Sequence, residues 1–169
     1  ENIIGEYQCG FRPNRSTSDQ LFVLRQFIEE FYDHDCNLHM LFIDFKQAFD
    51  SVNRNKMLEE MEKMGIPQKL IRLTKMTMKT STAKVKGNKK LSDQFEFNKG
   101  VKQGDGLSPT LFLIALHSAI KSIDKRGTVF NKSSQICAFA DDIAIIARTK
   151  QCLIKQYEAL EEQAKEIGL

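Results

Sequence analysis

Asp141 and Asp142 stand side by side in Ala138-Phe139-Ala140-Asp141-Asp142-Ile143-Ala144-Ile145-Ile146, a run otherwise apolar and β-prone. A buried carboxylate without a partner is costly, so two of them do not belong in the middle of a buried strand. A tight turn resolves the conflict by placing both at the tip of a hairpin. Paired acids at such a tip can bind a divalent metal ion. Asp is also a common turn residue, so from this segment alone an ordinary Asp-rich turn is the better reading.

A third carboxylate lies far upstream. Leu38-His39-Met40-Leu41-Phe42-Ile43-Asp44-Phe45 reads as a buried strand ending in an acid. By itself Asp44 could simply cap the next turn. If the two strands share a sheet, however, Asp44, Asp141 and Asp142 converge. Hard oxygen ligands of this kind suit Mg²⁺, and three carboxylates suffice for a two-metal phosphoryl-transfer site. Gly100-Val101-Lys102-Gln103-Gly104-Asp105-Gly106-Leu107-Ser108-Pro109 adds a glycine-rich loop running into a helix, with Ser108 expected as N-cap and Pro109 at the first helical position. It lacks the Gly-Lys-Ser/Thr ending of an NTPase phosphate loop and the third glycine of a dinucleotide fingerprint.

Four blocks in this order resemble the reverse transcriptase domain of a non-LTR (LINE-type) retrotransposon. They are Gln8 to Thr17 (Gln-Cys-Gly-Phe-Arg-Pro-Asn-Arg-Ser-Thr), Phe42 to Asp50 (Phe-Ile-Asp-Phe-Lys-Gln-Ala-Phe-Asp), Val101 to Pro109, and Phe139-Ala140-Asp141-Asp142. Together they span nearly the whole chain. The resemblance implies an RNA-directed DNA polymerase palm with Asp44 and Asp141 as principal ligands of two Mg²⁺ ions, Mn²⁺ being able to substitute, and Asp142 completing the acidic cluster. It implies that Gln103 and Gly104 contact the incoming nucleotide and its template partner, and that Arg12 and Arg15 lie near the template. Phe49 matches the aromatic under the incoming sugar. A bulky ring there occludes a 2′-hydroxyl and offers it no hydrogen bond, which favours deoxynucleotides. The implied partners are an RNA template, a DNA primer and deoxynucleoside triphosphates.

Gly106 departs from the Pro that many relatives carry and leaves the loop less rigid. The pattern also places about residues 1–37 near the fingers and 38–169 mainly in the palm. The thumb and N-terminal fingers are expected to lie outside this one partial domain, so the isolated chain is expected to be inactive. A group II intron or retron enzyme is a near alternative. An RNA-dependent RNA polymerase is disfavoured by Phe49 and by Ala140, where such enzymes often have Gly. From a different class, a non-catalytic nucleic-acid-binding remnant of a dead element copy is the other reading.

Composition fits a globular domain: 169 residues can bury a core, and no apolar run is long enough to span a bilayer. No membrane partner is expected, no signal peptide is visible, and an intracellular setting, nucleus or cytoplasm, is the simplest one. Net charge is only +3, but Lys69, Arg72, Lys75, Lys79, Lys84, Lys86, Lys89 and Lys90 follow one another with no acid between them. Such a block suits phosphate backbones, although most charge runs are merely solvated faces. Glu158, Glu161, Glu162 and Glu166 with Lys155 and Lys165 read as a solvated helix face. Cys9, Cys36, Cys137 and Cys152 have no Cys-x-x-Cys spacing, which argues against zinc and against a disulfide framework. Asp33-x-Asp35-x-Asn37 imitates a calcium loop but has Leu38 where the turn needs Gly.

The elements that must position these residues are mixed. Ser16-x-x-Asp19 opens a helix carrying Leu21, Leu24, Phe27, Ile28 and Phe31 at helical spacing. After the Asp44 strand come a helix from about Asn53 to Met64 closed by Gly65, and another starting at Pro67. Thr82–Lys86 and Gln94–Phe97 form a hairpin across Gly87-Asn88. A buried helix runs from Pro109 toward Ile123, and a last helix starts near Gln151. The expected fold is α+β: a small antiparallel palm sheet with helices packed on one face and the other left free for substrates.

Overall fold

A computed structural model of the chain describes residues 3–79, 81–87, 90–121, 123 and 134–169. Lys89 and Asn88, named above, lie outside the described residues. Helix α1 (Thr17–Asp33) starts at the expected capping box, in which Ser16 and Asp19 each hold the other's backbone N–H. Strand β1 (His39–Ile43) leads to a short α2 (Ala48–Ser51), which the periodicity did not reveal. Helix α3 (Arg54–Lys63) is capped by the Asn53 side chain and closed by left-handed Gly65 (φ 73°). Helix α4 (Gln68–Met78) takes Pro67 as its N-cap.

The predicted hairpin is present only in part: β2 (Thr82–Ala83) pairs with β5 (Phe95–Glu96) as expected, but Lys86 and Gly87 form a separate strand, β3 (Lys86–Gly87), paired with β4 (Lys90–Leu91). Between them Ser92 is bonded to Val85 through both its backbone N–H and its hydroxyl. Helix α5 (Ser108–Ile120) begins one residue earlier than expected. Leu107, not Ser108, occupies the N-cap, because the Asp105 carboxylate accepts the Leu107 N–H (3.0 Å) and its carbonyl accepts the Ser108 N–H (3.1 Å), winding the turn early. Strands β6 (Ser134–Phe139) and β7 (Asp142–Ala147) and helix α6 (Lys150–Ile167) follow.

The main sheet runs β1-β7-β6, antiparallel throughout, and a parallel bridge from Gln8 to Ala138 extends it at the β6 edge. Alternation along β7 feeds two cores. Ile143 and Ile145 enter the larger one, with Met57 and Met61 of α3, Phe112 and Leu116 of α5, and Leu160 and Ala164 of α6. Ala144 and Ile146 face the other way and meet Phe27 and Phe31 of α1. The second face is therefore partly roofed by α1. Beside the carboxylates it stays open, as a cleft of about 360 Å³. Among the described residues no helix is long and apolar enough to cross a membrane.

One buried cation ties the lower half together. Arg54, 8% exposed, donates from Nε to Gly100 O (2.6 Å) and from Nη1 to Met78 O (3.0 Å), Ser81 Oγ (3.2 Å) and Phe97 O (3.3 Å). Its guanidinium also lies over the Phe97 ring at 5.1 Å. Arg54→Met keeps the bulk and removes every donor, leaving buried carbonyls unpaired. The expected cost is about 3 kcal/mol, a fall in Tm of about 6–12 °C by thermal denaturation. A shift under about 2 °C would mean that these carbonyls find other partners.

Candidate active site

Asp44 directly follows β1, and Ile43 pairs with Ile143. One further step of that register sets Asp44 beside Asp142 at the same end of the sheet. Both line the cleft, together with Phe42, Phe139, Ala144 and the α1 residues Gln20, Leu21 and Leu24. Asp44 and Asp142 are exposed and Asp141 is half-buried. Phe139 pairs with Asp142, so the two-residue hairpin tip is Ala140 and Asp141, one residue earlier than expected: Asp141 is at the tip, but Asp142 is the first residue of β7.

The three acids share this end of the sheet, yet they are not drawn into one metal-holding group. Among the described residues no three His, Cys, Asp or Glu side chains are so placed. Asp141 sits in the turn and does not line the cleft. The full convergence expected above is thus not present. The donor chemistry still fits a divalent ion: three hard carboxylates lie at one end of the sheet, and among the described residues no cationic side chain pairs with any of them.

Phe49 projects from α2. Its ring stacks on Phe112 (centroids 4.6 Å apart) and meets Phe11 edge-on (6.3 Å). The loop bearing Gln103 and Gly104 is fastened to the same helix: Val101 N–H donates to Phe49 O (2.8 Å) and Gly100 N–H to Val52 O (2.8 Å). Gly100 must be glycine, because a Cβ there would come within 2.6 Å of the Asp50 carbonyl oxygen and φ is 76°. Gln103 and Gly104 themselves are exposed, Gly104 at φ 90°. The structure brings Phe49 and this loop together. Backbone strain gathers here too, since non-glycine residues Phe11, Gln47 and Ala140 hold φ of 53°, 54° and 56°.

Arg12 is engaged inside the chain, donating to Gly5 O (3.0 Å) and Gln8 O (3.1 Å) and pairing with Glu6. Arg15 also pairs with Glu6. Lys69, Arg72 and Lys75 are exposed along one side of α4, with Lys79 at its end; Lys84, Lys86 and Lys90 are exposed on the small hairpins. Among the described residues no ion pair joins this basic block to the carboxylates. Burial, with Cys9 nearby, raises the Cys137 thiol to about 11, which leaves it unreactive.

Sequence reasoning assigned no part to Gln8, Gly10 or Arg54. Gln8, 1% exposed, reaches the hairpin tip across 132 residues of sequence. Its one available signal was its place at the head of the Gln8 to Thr17 block, two residues before Gly10.

A three-stranded antiparallel sheet backed by helices, with acids at one end and an open cleft beside them, is the palm architecture of nucleotide polymerases. The chain belongs to the family described as reverse transcriptase (RNA-dependent DNA polymerase), whose family model matches residues 2–169. It is 26% identical over 148 residues to the Pol polyprotein of the type-2 retrotransposable element R2DM of Drosophila melanogaster, covering 86% of this chain and 14% of that one. It is 27% identical over 155 residues to the RNA-directed DNA polymerase from mobile element jockey of the same fly, covering 89% of this chain and 16% of that one. The chain therefore spans about a seventh of the length of such relatives. Telomerase from Candida tropicalis, solved with a telomeric RNA fragment, shares the fold at a TM-score of 0.72 and 17% identity, over 94% of this chain and 28% of that one.

Proposed function

We propose that this chain is the palm of an RNA-directed DNA polymerase of the non-LTR retrotransposon type. The observation that carries the reading is the β1–β7 register, which sets Asp44 beside Asp142 at the mouth of the cleft, next to the Asp141 turn. Asp44, Asp141 and Asp142 would hold divalent ions, Mg²⁺ first. Bound there, such ions stabilise charge on the attacking and leaving oxygens.

The remaining roles belong to the chain. The 3′-hydroxyl of a DNA primer attacks the α-phosphate of a deoxynucleotide, a new oxygen–phosphorus bond forms, and pyrophosphate leaves. Phe49, backed by Phe112, closes the space under the sugar against a 2′-hydroxyl. The Gln103-Gly104 loop, held on the Phe49 carbonyl, contacts nucleotide and template base. Template sequence is read by base pairing, so the protein needs to hold only the backbones. Residues 38–169 supply most of the palm, and about 1–37 form a fingers and palm-proximal segment. This chemistry belongs in the nucleus or cytoplasm.

The test is primer extension on an RNA template with Mg²⁺, by the chain within its natural full-length protein, with deoxy- and ribonucleotides compared. Incorporation of deoxynucleotides supports the reading. A folded protein that binds nucleic acid but extends nothing would instead indicate a non-catalytic binder.

The basic block contacts phosphates in this proposal. Replacing Lys69, Arg72 and Lys75 together by Gln is expected to weaken binding of an RNA–DNA hybrid. It should also flatten the dependence of log K on log salt by about 0.9 for each duplex phosphate that the variant no longer neutralises. Fluorescence anisotropy across a salt series measures both. An unchanged slope would make α4 an ordinary solvated face.

A further inference from the structure

We propose that Gln8 is the positioning residue of the catalytic turn. It would act by locking Ala140 in the left-handed conformation that sets the direction of Asp141. The proposal rests on the catalytic reading of Asp141 given above.

The Gln8 side-chain amide pairs with both backbone polar groups of Ala140. Its Oε1 accepts the Ala140 N–H (2.8 Å), and its Nε2 donates to Ala140 O (3.0 Å). The same Oε1 accepts the Gly10 N–H (2.7 Å), so the loop and the hairpin tip share one acceptor. The amide thus serves as a rung of ladder where the backbone ladder ends. The tip has to be held, because Ala140 sits at φ 56°. A residue with a Cβ pays about 1–2 kcal/mol in that region and stays there only if its surroundings over-determine it. Glycine would sit there freely; alanine needs the clamp.

The rest of the N-terminal segment supports this. A Cβ on Gly10 would lie 2.2 Å from the Ala140 nitrogen, so the loop seats directly against the turn. Cys9 N–H donates to Ala138 O (2.9 Å) and Ala138 N–H to Tyr7 O (2.8 Å). The Gln20 amide bridges Tyr7 O (2.8 Å) and Ala138 O (3.0 Å). Tyr7 is anchored to α5 through its hydroxyl and His117 Nδ1 (2.6 Å), and burial raises its pKa, which keeps the phenol protonated. These contacts dock the segment along β6. Gly10 packs against Ala140, and among the described residues of this segment it is Gln8 that hydrogen-bonds to it, the residue that precedes Asp141.

The experiment uses the full-length protein and five variants: Gln8→Met, Ala140→Gly, the double variant, Asp141→Asn as the catalytic control, and Leu160→Ala, a core truncation on α6 that serves as a stability control. Primer extension is measured against Mg²⁺ concentration, and hydrogen exchange by mass spectrometry is followed for the peptide spanning 138–143. Gln8→Met is expected to speed exchange in that peptide, to raise the half-saturating Mg²⁺ severalfold and to lower kcat by about a hundredfold, as a misplaced reacting group does. Adding Ala140→Gly is expected to restore part of kcat and of the Mg²⁺ requirement, since glycine adopts the turn without a clamp. Leu160→Ala should lower Tm and leave the Mg²⁺ requirement unchanged.

The proposal is overturned if Gln8→Met leaves exchange in 138–143 as in the wild type. It is also overturned if its Mg²⁺ dependence matches that of Leu160→Ala, or if Ala140→Gly rescues nothing. Failure of the underlying catalytic reading has a separate signature: Asp141→Asn would retain activity, whatever Gln8→Met does to exchange.

Discussion

Asp141→Asn is expected to abolish primer extension, with kcat lower by at least about a thousandfold, because losing about 4 kcal/mol of charge stabilisation in the transition state corresponds to that factor. The change is isosteric, and Asn suits a turn as well as Asp does. It removes one negative charge from three carboxylates that have no cationic partner among the described residues. Mutual repulsion therefore falls, and Tm should hold or rise slightly. Activity lost while stability is kept marks a chemical role; a parallel loss of both would mark a structural one. Activity within about threefold of wild type would remove Asp141 from the mechanism, since that is less than 1 kcal/mol of barrier.

The second large effect concerns sugar choice. Phe49→Val is expected to raise ribonucleotide incorporation relative to deoxynucleotide by about tenfold or more, as a steric exclusion of 1–2 kcal/mol is lost. Phe49 is also a partly buried core residue, stacked on Phe112. Truncation should therefore also cost about 1–2 kcal/mol of stability, less than for a fully buried ring. The two roles separate in single-nucleotide incorporation assays. If Tm falls and the ribo/deoxy ratio stays put, Phe49 is packing only. Phe49→Tyr keeps the ring and should keep the preference for deoxynucleotides.

The legible part of the site was the part built from local chemistry. Asp141 and Asp142 announced a turn because two charges cannot stay inside an apolar strand, and the hairpin tip falls at Ala140-Asp141. The Ser16–Asp19 capping box, the Asn53 cap and the Gly65 terminus were readable for the same reason: each satisfies helix-end groups within a few residues. The N-cap of α5 was misassigned to Ser108 because Asp105 captures the Leu107 N–H first. Both are plausible capping residues in sequence, and only backbone geometry selects between them. Helix α2 stayed hidden because four residues carry too little periodicity.

By itself, then, the sequence determined the family, the order of its motifs, a turn at the acids and most helix starts. These depend on residue type and on spacings of a few residues. The tertiary structure decided which distant groups meet. It seated Gln8 on Ala140, tied Arg54 to Gly100, Met78 and Phe97, and turned Arg12 inward to Gly5 and Gln8. It laid α1 over part of the face expected to be free and left the cleft beside Asp44 and Asp142. The reason is physical. A buried donor or acceptor must find a partner, but its identity depends on which backbone groups the packed chain leaves unpaired nearby. No pattern of adjacent residues encodes that.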